Sequence, residues 1–319
     1  MRYFLALLLL NLAAGAHAAF TIEDDGAALT VLENGQPVMV YRYALVNPPG
    51  KIPERYRRAA YLHPLYGLDG EVLTQDFPGD HFHHRGVFWA WPKSTLGERP
   101  IDVWALDGVR QVHQSWVTKK AGEDKAEIAA QNGWVYDDAP NDPKVRETVR
   151  FTAWPAKDGA RAIDCAIRVE NVSAEVLTIR GATDTDKKAA VTKGYGGFCL
   201  RPDATRRPMH FTCISGKVEE DCLELPTPWV DLSFAKEAGG EALSGLALFE
   251  HPANPGYPHP GWILRSYGFL GQSWPHTEPY VMKPGAAFEL RHRLYIHQGD
   301  AEEAKVAEAF SAYAAANRD

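Results

Sequence analysis

The sequence has no Gly-x-Ser-x-Gly elbow, no Cys-x-x-Cys pair and no glycine-rich phosphate loop opening a helix. The first absence disfavours acyl transfer through an activated serine. The second leaves Cys165, Cys199, Cys213 and Cys222 without the spacing of a redox or zinc motif. Gly194-Tyr195-Gly196-Gly197-Phe198 differs in glycine spacing from phosphate loops and has no helix after it. There is no basic stripe, and the formal net charge is −7. With no cationic surface to release counterions, nucleic acid is excluded as the expected partner. Internal repeats, low-complexity linkers and long apolar runs beyond the N-terminus are also missing, so no membrane span is expected after the first residues.

The N-terminus itself reads as an export signal. Arg2 supplies a positive start, Phe4 to Leu12 are apolar apart from Asn11, and Ala16-His17-Ala18 places small residues where a signal peptidase cuts. Residues 1–18 are therefore expected to be removed, giving a periplasmic or secreted protein. An exported chain can oxidise its cysteines. Three pairings are open, with Cys213–Cys222 favoured because it closes a small loop.

Strand patterns dominate the rest. Ala28 to Leu32 and Pro37 to Tyr41 flank Asn34-Gly35, a hairpin signal. Val145 to Thr152 alternates, with Val145, Glu147, Val149 and Phe151 on one face. Arg161 to Val169 repeats the pattern and predicts Ile163, Cys165, Ile167 and Val169 as its buried side. Leu177 to Ile179, Gly245 to Phe249 and Phe288 to His297 read as further strands. Only Ala301 to Ala315 repeats apolar residues at helical spacing, with Asp300 placed to cap it. Many short strands separated by Gly- and Pro-rich turns predict an all-β sandwich over residues 19–319, one domain with a C-terminal helix on its edge.

Chemistry concentrates in Asp80-His81-Phe82-His83-His84-Arg85-Gly86, followed by Val87-Phe88-Trp89. Neutral imidazoles carry protons and bind metals, and a guanidinium grips carboxylates. Read as a strand, the run puts His81, His83 and Arg85 on one face. That spacing is half of a metal site through His81 and His83, but Arg85 beside them favours an anionic ligand over a cation. A second cluster, His251 to Arg265, is a proline-rich loop bearing His251, Asn254, His259, Trp262 and Arg265. Tyr195 lies in the glycine-rich segment, downstream of the carboxylates Asp184 and Asp186. Further candidates are His63, Asp69, Glu71, Asp76, Asp102, Trp104, His113, His276, Glu278, His292 and His297.

Five segments together, Tyr61 to Tyr66, Asp80 to Gly86, Gly194 to Phe198, His251 to Arg265 and Leu290 to Gly299, resemble the exported bacterial family called PmoA-like, or "methane oxygenase PmoA". The family pattern has proline where this chain has Phe82. Membrane methane oxidation does not follow, since no span follows the signal. The resemblance implies a galactose-mutarotase-like supersandwich, a fold that hosts mutarotases, lyases and glycosidases.

The resulting expectation is an exported carbohydrate-active enzyme of epimerase, lyase or glycosidase type, acting without a cofactor on a sugar or uronide. His81, His83 and His84 would supply acid–base chemistry and Arg85 anion binding. Trp89, Tyr195, His251, Asn254, His259, Trp262 and Arg265 would bind substrate. The alternatives are a non-catalytic carbohydrate-binding protein and an oxidoreductase with metal on His81 and His83.

Overall fold

In the computed structural model, which describes residues 19–187 and 190–317, Asn34 and Gly35 take positive φ of 51° and 77°. Two left-handed residues in succession make the primed turn that Asn-Gly favours. It joins the antiparallel strands Ala28–Glu33 and Gln36–Arg42. These strands belong to an eight-stranded sheet. Its order is Phe20–Asp24, Ala28–Glu33, Gln36–Arg42, Tyr61–Leu65, Val87–Ala90, Gly197–Leu200, Phe269–Gln272 and Trp262–Arg265. The histidine run enters this sheet immediately before Val87–Ala90.

A nine-stranded sheet faces it, in the order Gly216–Val218, Met209–Cys213, Trp229–Ala235, Leu243–Glu250, Ala287–Gln298, Ala160–Asn171, Val145–Ala153, Ala126–Tyr136 and Val109–Ala121. Alternation decides what it buries. Val145, Glu147, Val149 and Phe151 point inward, as do Ile163, Cys165, Ile167 and Val169 on the neighbouring strand. The two sheets meet through rings, with Phe151 5.6 Å from Tyr41 and 5.9 Å from Trp89. Each fully buried side chain of this size contributes about 1.5–3 kcal/mol. A small third sheet of Tyr280–Met282, Leu177–Ile179, Thr95–Leu96 and Arg99–Pro100 completes the all-β architecture.

Glu147 shows what strict alternation costs. The period-two pattern sends its carboxylate into the core, where burial raises its pKa. Gln111 Nε2, Asn132 Nδ2 and Trp134 Nε1 donate to it at 2.7, 2.9 and 2.8 Å. Gln111 also accepts from Arg58 Nη1 at 3.2 Å, which ties this network to the wall of the cleft described below.

The helix is shorter than its periodicity suggested. It spans Val306–Ala316, and Asp300 Oδ1 instead caps the preceding turn by accepting from the N–H groups of Glu302 and Glu303. Val306, Phe310 and Tyr313 pack it onto Phe249 and Trp229 of the nine-stranded sheet. No helix among the described residues is long and apolar enough to cross a membrane. The favoured Cys213–Cys222 disulfide is not formed, and all four cysteines are free thiols. Cys213 Sγ lies 3.1 Å from Ser215 Oγ, and Cys222 Sγ is directed at the Trp262 carbonyl. The export signal expected at residues 1–18 falls outside the described residues.

Gly86 is the one glycine on which the histidine run depends. Its φ is 34°, and a Cβ there would stand 2.0 Å from the Leu62 carbonyl oxygen. Gly86→Ala is expected to destabilise the protein by more than ~1 kcal/mol in urea unfolding; wild-type stability in that variant would mean the close approach is not obligatory.

Candidate functional site

The histidine run is a turn, not a strand. The His81 N–H donates to the Pro78 carbonyl at 3.1 Å, and the His84 N–H to the His81 carbonyl at 2.9 Å. Two successive turns cancel the alternation expected of an extended segment, so His81, His83 and His84 all line one cavity of about 370 Å³. Phe82 turns to the Tyr56 ring, 5.8 Å away. The chain regains extended pairing only at Arg85, which bridges Asp76 antiparallel.

Inside the cavity the rings are stacked. His81 lies between His84 (4.6 Å, interplanar 4°) and Tyr267 (5.1 Å, 17°). His83 meets His84 edge-on at 4.5 Å, and Trp104 lies 5.6 Å from both. Trp104 is held from behind. Asp102 Oδ1 accepts from the N–H groups of Trp104 and Ala105 at 2.7 and 2.9 Å, and Arg58 Nη2 donates to the carbonyls of Val103 and Trp104. Tyr195, Asp184, Lys93 and Lys193 line the remaining wall, with Lys193 paired to Asp184 at 2.7 Å.

Two electrostatic environments sit side by side. Burial pushes His83 down to about 3, and the neighbouring His81, Arg58 and Arg201 add to the effect. His84 is held well below the usual imidazole value for the same reasons, burial first. Both are neutral at physiological pH. His81 instead has a carboxylate beside it, Asp80 Oδ2 lying 3.0 Å from its Nδ1. Asp80 is itself fixed by Arg201 Nη2 at 2.7 Å. Burial opposes ionisation of Asp80, yet the bonds to His81 and Arg201 prevail and lower its pKa.

The other expected site residues are dispersed. Arg85 is fully buried, and its guanidinium pairs with Asp76, donates to the Tyr61 hydroxyl and the Tyr56 carbonyl, and lies over the Phe77 ring at 3.5 Å. It does not face the cleft, which corrects the anion-binding expectation drawn from strand alternation. Trp89 and Trp262 are core residues, at 1% and 0% exposure; the Trp262 indole donates to the Thr227 carbonyl at 2.6 Å. Neither has a face left for a sugar. His251 and Asn254 lie by the C-terminal helix, His251 against Tyr313, while Asn254 clamps Arg291 by two backbone bonds at 2.8 Å. His259 accepts from the Gly261 N–H through Nδ1, and burial takes its pKa to about 4. Of the second cluster, only Arg265 reaches the neighbourhood of the cleft, donating to the Tyr195 hydroxyl at 2.7 Å. The expected opposite wall is therefore supplied instead by Trp104, Tyr195 and Tyr267. Tyr267, Lys93 and Lys193 were not anticipated. Lys93 and Tyr267 lie in turns and Lys193 in an extended segment, and only the packing of distant segments brings them together. The described residues contain no group of three or more His, Cys, Asp or Glu arranged to hold a metal ion.

A family-level sequence model described as "Family of unknown function (DUF6807)" matches residues 28–311. This replaces the resemblance to the PmoA-like family, which is withdrawn. No curated protein matches the chain. Among solved structures, a heparan sulfate lyase HepC from Pedobacter heparinus is similar at 11% identity and TM-score 0.40, over 89% of this chain and 36% of that one. The chain thus spans little more than a third of the lyase. A galactose mutarotase-like protein from Lactobacillus casei is 10% identical at TM-score 0.34, over 87% of this chain and 100% of that one. A galactose 1-epimerase from Lactobacillus acidophilus is 9% identical at TM-score 0.33, over 89% and 95%.

Two measurements test this geometry. Asp76→Ala leaves the Arg85 guanidinium buried without its counter-charge and is expected to cost about 3 kcal/mol in denaturant unfolding. A loss below about 1 kcal/mol would class the pair with surface ion pairs. His83 has a folded pKa of about 3, below its unfolded value. Between those values the unfolded chain binds the extra proton, so its contribution is complete above the unfolded pKa and is lost as pH falls toward 3. His83→Gln should therefore lose less stability than wild type when the pH is lowered from 7 to 4; parallel curves would contradict the burial of His83 in its neutral form.

Proposed function

Because the chain belongs to the DUF6807 family, whose function is unknown, its activity must be read from the site, and we propose that the histidine cleft binds a carbohydrate and works on it by acid–base catalysis in an exported protein. The observation that carries this reading is His81, stacked between Tyr267 and His84 and faced at Nδ1 by Asp80. A carboxylate beside Nδ1 favours the tautomer with its proton there, and this leaves the lone pair on Nε2. Arg201 orients the carboxylate in turn. This is an arrangement in which one group moves the proton, a second aligns it and a third holds the second.

The rest of the cleft suits a sugar. Trp104 and Tyr195 offer aromatic faces to the C–H faces of a pyranose, and neutral His83 exchanges hydrogen bonds with hydroxyls without carrying charge. With Arg85 occupied by Asp76, anion binding is not part of the reading. Lys93, Asp102 and the paired Lys193 and Asp184 are the charged groups on the wall.

The test is a panel of monosaccharides, oligosaccharides and uronides assayed for epimerised, eliminated or hydrolysed products. His81→Ala is expected to reduce kcat by about 10²–10⁴-fold at a thermal midpoint near wild type, and Asp80→Asn to lower it less while shifting its pH profile; Asp80→Asn also takes the counter-charge from buried Arg201 and is expected to lower the midpoint. Turnover that survives His81→Ala would remove the proposed role, and binding with no product from any sugar would leave a carbohydrate-binding protein.

A further inference from the structure

Beside the histidine cleft lies a second and larger cavity of about 630 Å³. A two-stranded ribbon stands between them. Ala182 N–H donates to the Tyr195 carbonyl, Lys193 N–H to the Asp184 carbonyl, and Asp186 N–H to the Val191 carbonyl, at 2.7, 3.0 and 2.8 Å. The ribbon divides its side chains between the two. Ala182, Asp184, Lys193 and Tyr195 line the histidine cleft, whereas Thr183, Val191 and Thr192 line the second cavity, Val191 departing from the alternation. One bond crosses the partition, from Arg265 Nε in the second cavity to the Tyr195 hydroxyl in the first.

The chemistry of the second cavity is polar and directional. Arg180, Arg265, Asp221, Glu224, Glu278 and Thr277 surround it. Arg265 is already engaged by carboxylates, with Asp186 at 3.0 Å and Asp221 at 3.5 Å. Arg180 Nε donates to the Thr277 carbonyl at 3.0 Å. Three carboxylates against two guanidiniums leave the lining with an acidic excess, on a chain whose formal net charge is also −7. An anionic sugar would meet like charge there, whereas neutral hydroxyls find both carboxylate acceptors and guanidinium donors.

We propose that the ligand is a neutral oligosaccharide, one unit lying in the histidine cleft and the next crossing the Tyr195–Arg265 pair into the Arg180–Glu224–Glu278 cavity. This rests on the carbohydrate reading of the histidine cleft and adds to it a chain length and a charge class. A monosaccharide fills only one of the two cavities. A linear neutral chain uses both, and a polyuronate is disfavoured at the second.

Calorimetric titration of linear gluco-, manno-, xylo- and galacto-oligosaccharides, monomer through tetramer, against galacturonate oligomers of the same lengths tests this. One neutral series should gain at least about tenfold in affinity between monomer and trimer, and the uronates should not. Glu224→Ala combined with Glu278→Ala, both exposed side chains, should cut that trimer-to-monomer ratio severalfold; because Glu224 lies 3.5 Å from Nδ1 of buried His276, Glu278→Ala alone, which leaves that pair intact, should also lower the ratio. Equal binding of monomer and trimer, a ratio unchanged in the double variant, or a preference for uronates would overturn the inference while leaving the histidine cleft as a sugar site. Absence of binding by every saccharide, monomers included, would overturn both.

Discussion

The cleft depends on a guanidinium that has no access to water. Arg85 is completely buried, and a buried cation persists only where acceptors and a counter-charge converge on it. Asp76, the Tyr61 hydroxyl and the Tyr56 carbonyl do so, with Phe77 and Tyr61 rings against its faces. The pair joins the two ends of the segment from Asp76 to Arg85, so the chain between them must turn. That constraint presents His81, His83 and His84 to one side. Gly86, pressed against the Leu62 carbonyl, then delivers the chain into the sheet.

A second buried network reaches the same place from the core. Glu147 accepts from Gln111, Gln111 accepts from Arg58, and Arg58 holds the carbonyls of Val103 and Trp104. A carboxylate placed inside a sandwich by strand alternation thus ends up supporting an aromatic wall of the cleft. Both networks keep polar groups satisfied away from solvent, and both make the position of the site residues a consequence of folding rather than of ligand binding.

The sequence exposed the strands well where alternation was clean. Val145–Ala153 and Ala160–Asn171 follow the predicted faces residue by residue, Glu147 and Cys165 included. It also marked the histidine run, because three imidazoles within four residues seldom occur without a shared environment. It failed on the conformation of that run. Read with period two, Arg85 joins His81 and His83; in the turn it faces the opposite way. The tryptophans misled for a related reason: an indole that suits a sugar also suits a core, and only burial distinguishes them. The proline-rich segment is irregular only as far as Gly261, since Trp262–Arg265 pairs as a strand, and its His251 and Asn254 serve the backbone and the helix, not the cleft.

What the sequence determined by itself is local: an all-β chain with one terminal helix, the Asn-Gly hairpin, the inward faces of the long strands, and the segment richest in proton-carrying side chains. These follow from periodicity and turn chemistry, which act over a few residues. Tertiary structure alone decided which residues share a cavity. Tyr267 on His81, Arg201 behind Asp80, and Trp104 opposite His83 come from segments far apart in the chain. Their meeting is set by sheet order and by the burial of Arg85, and neither quantity is written in the spacing of neighbouring residues.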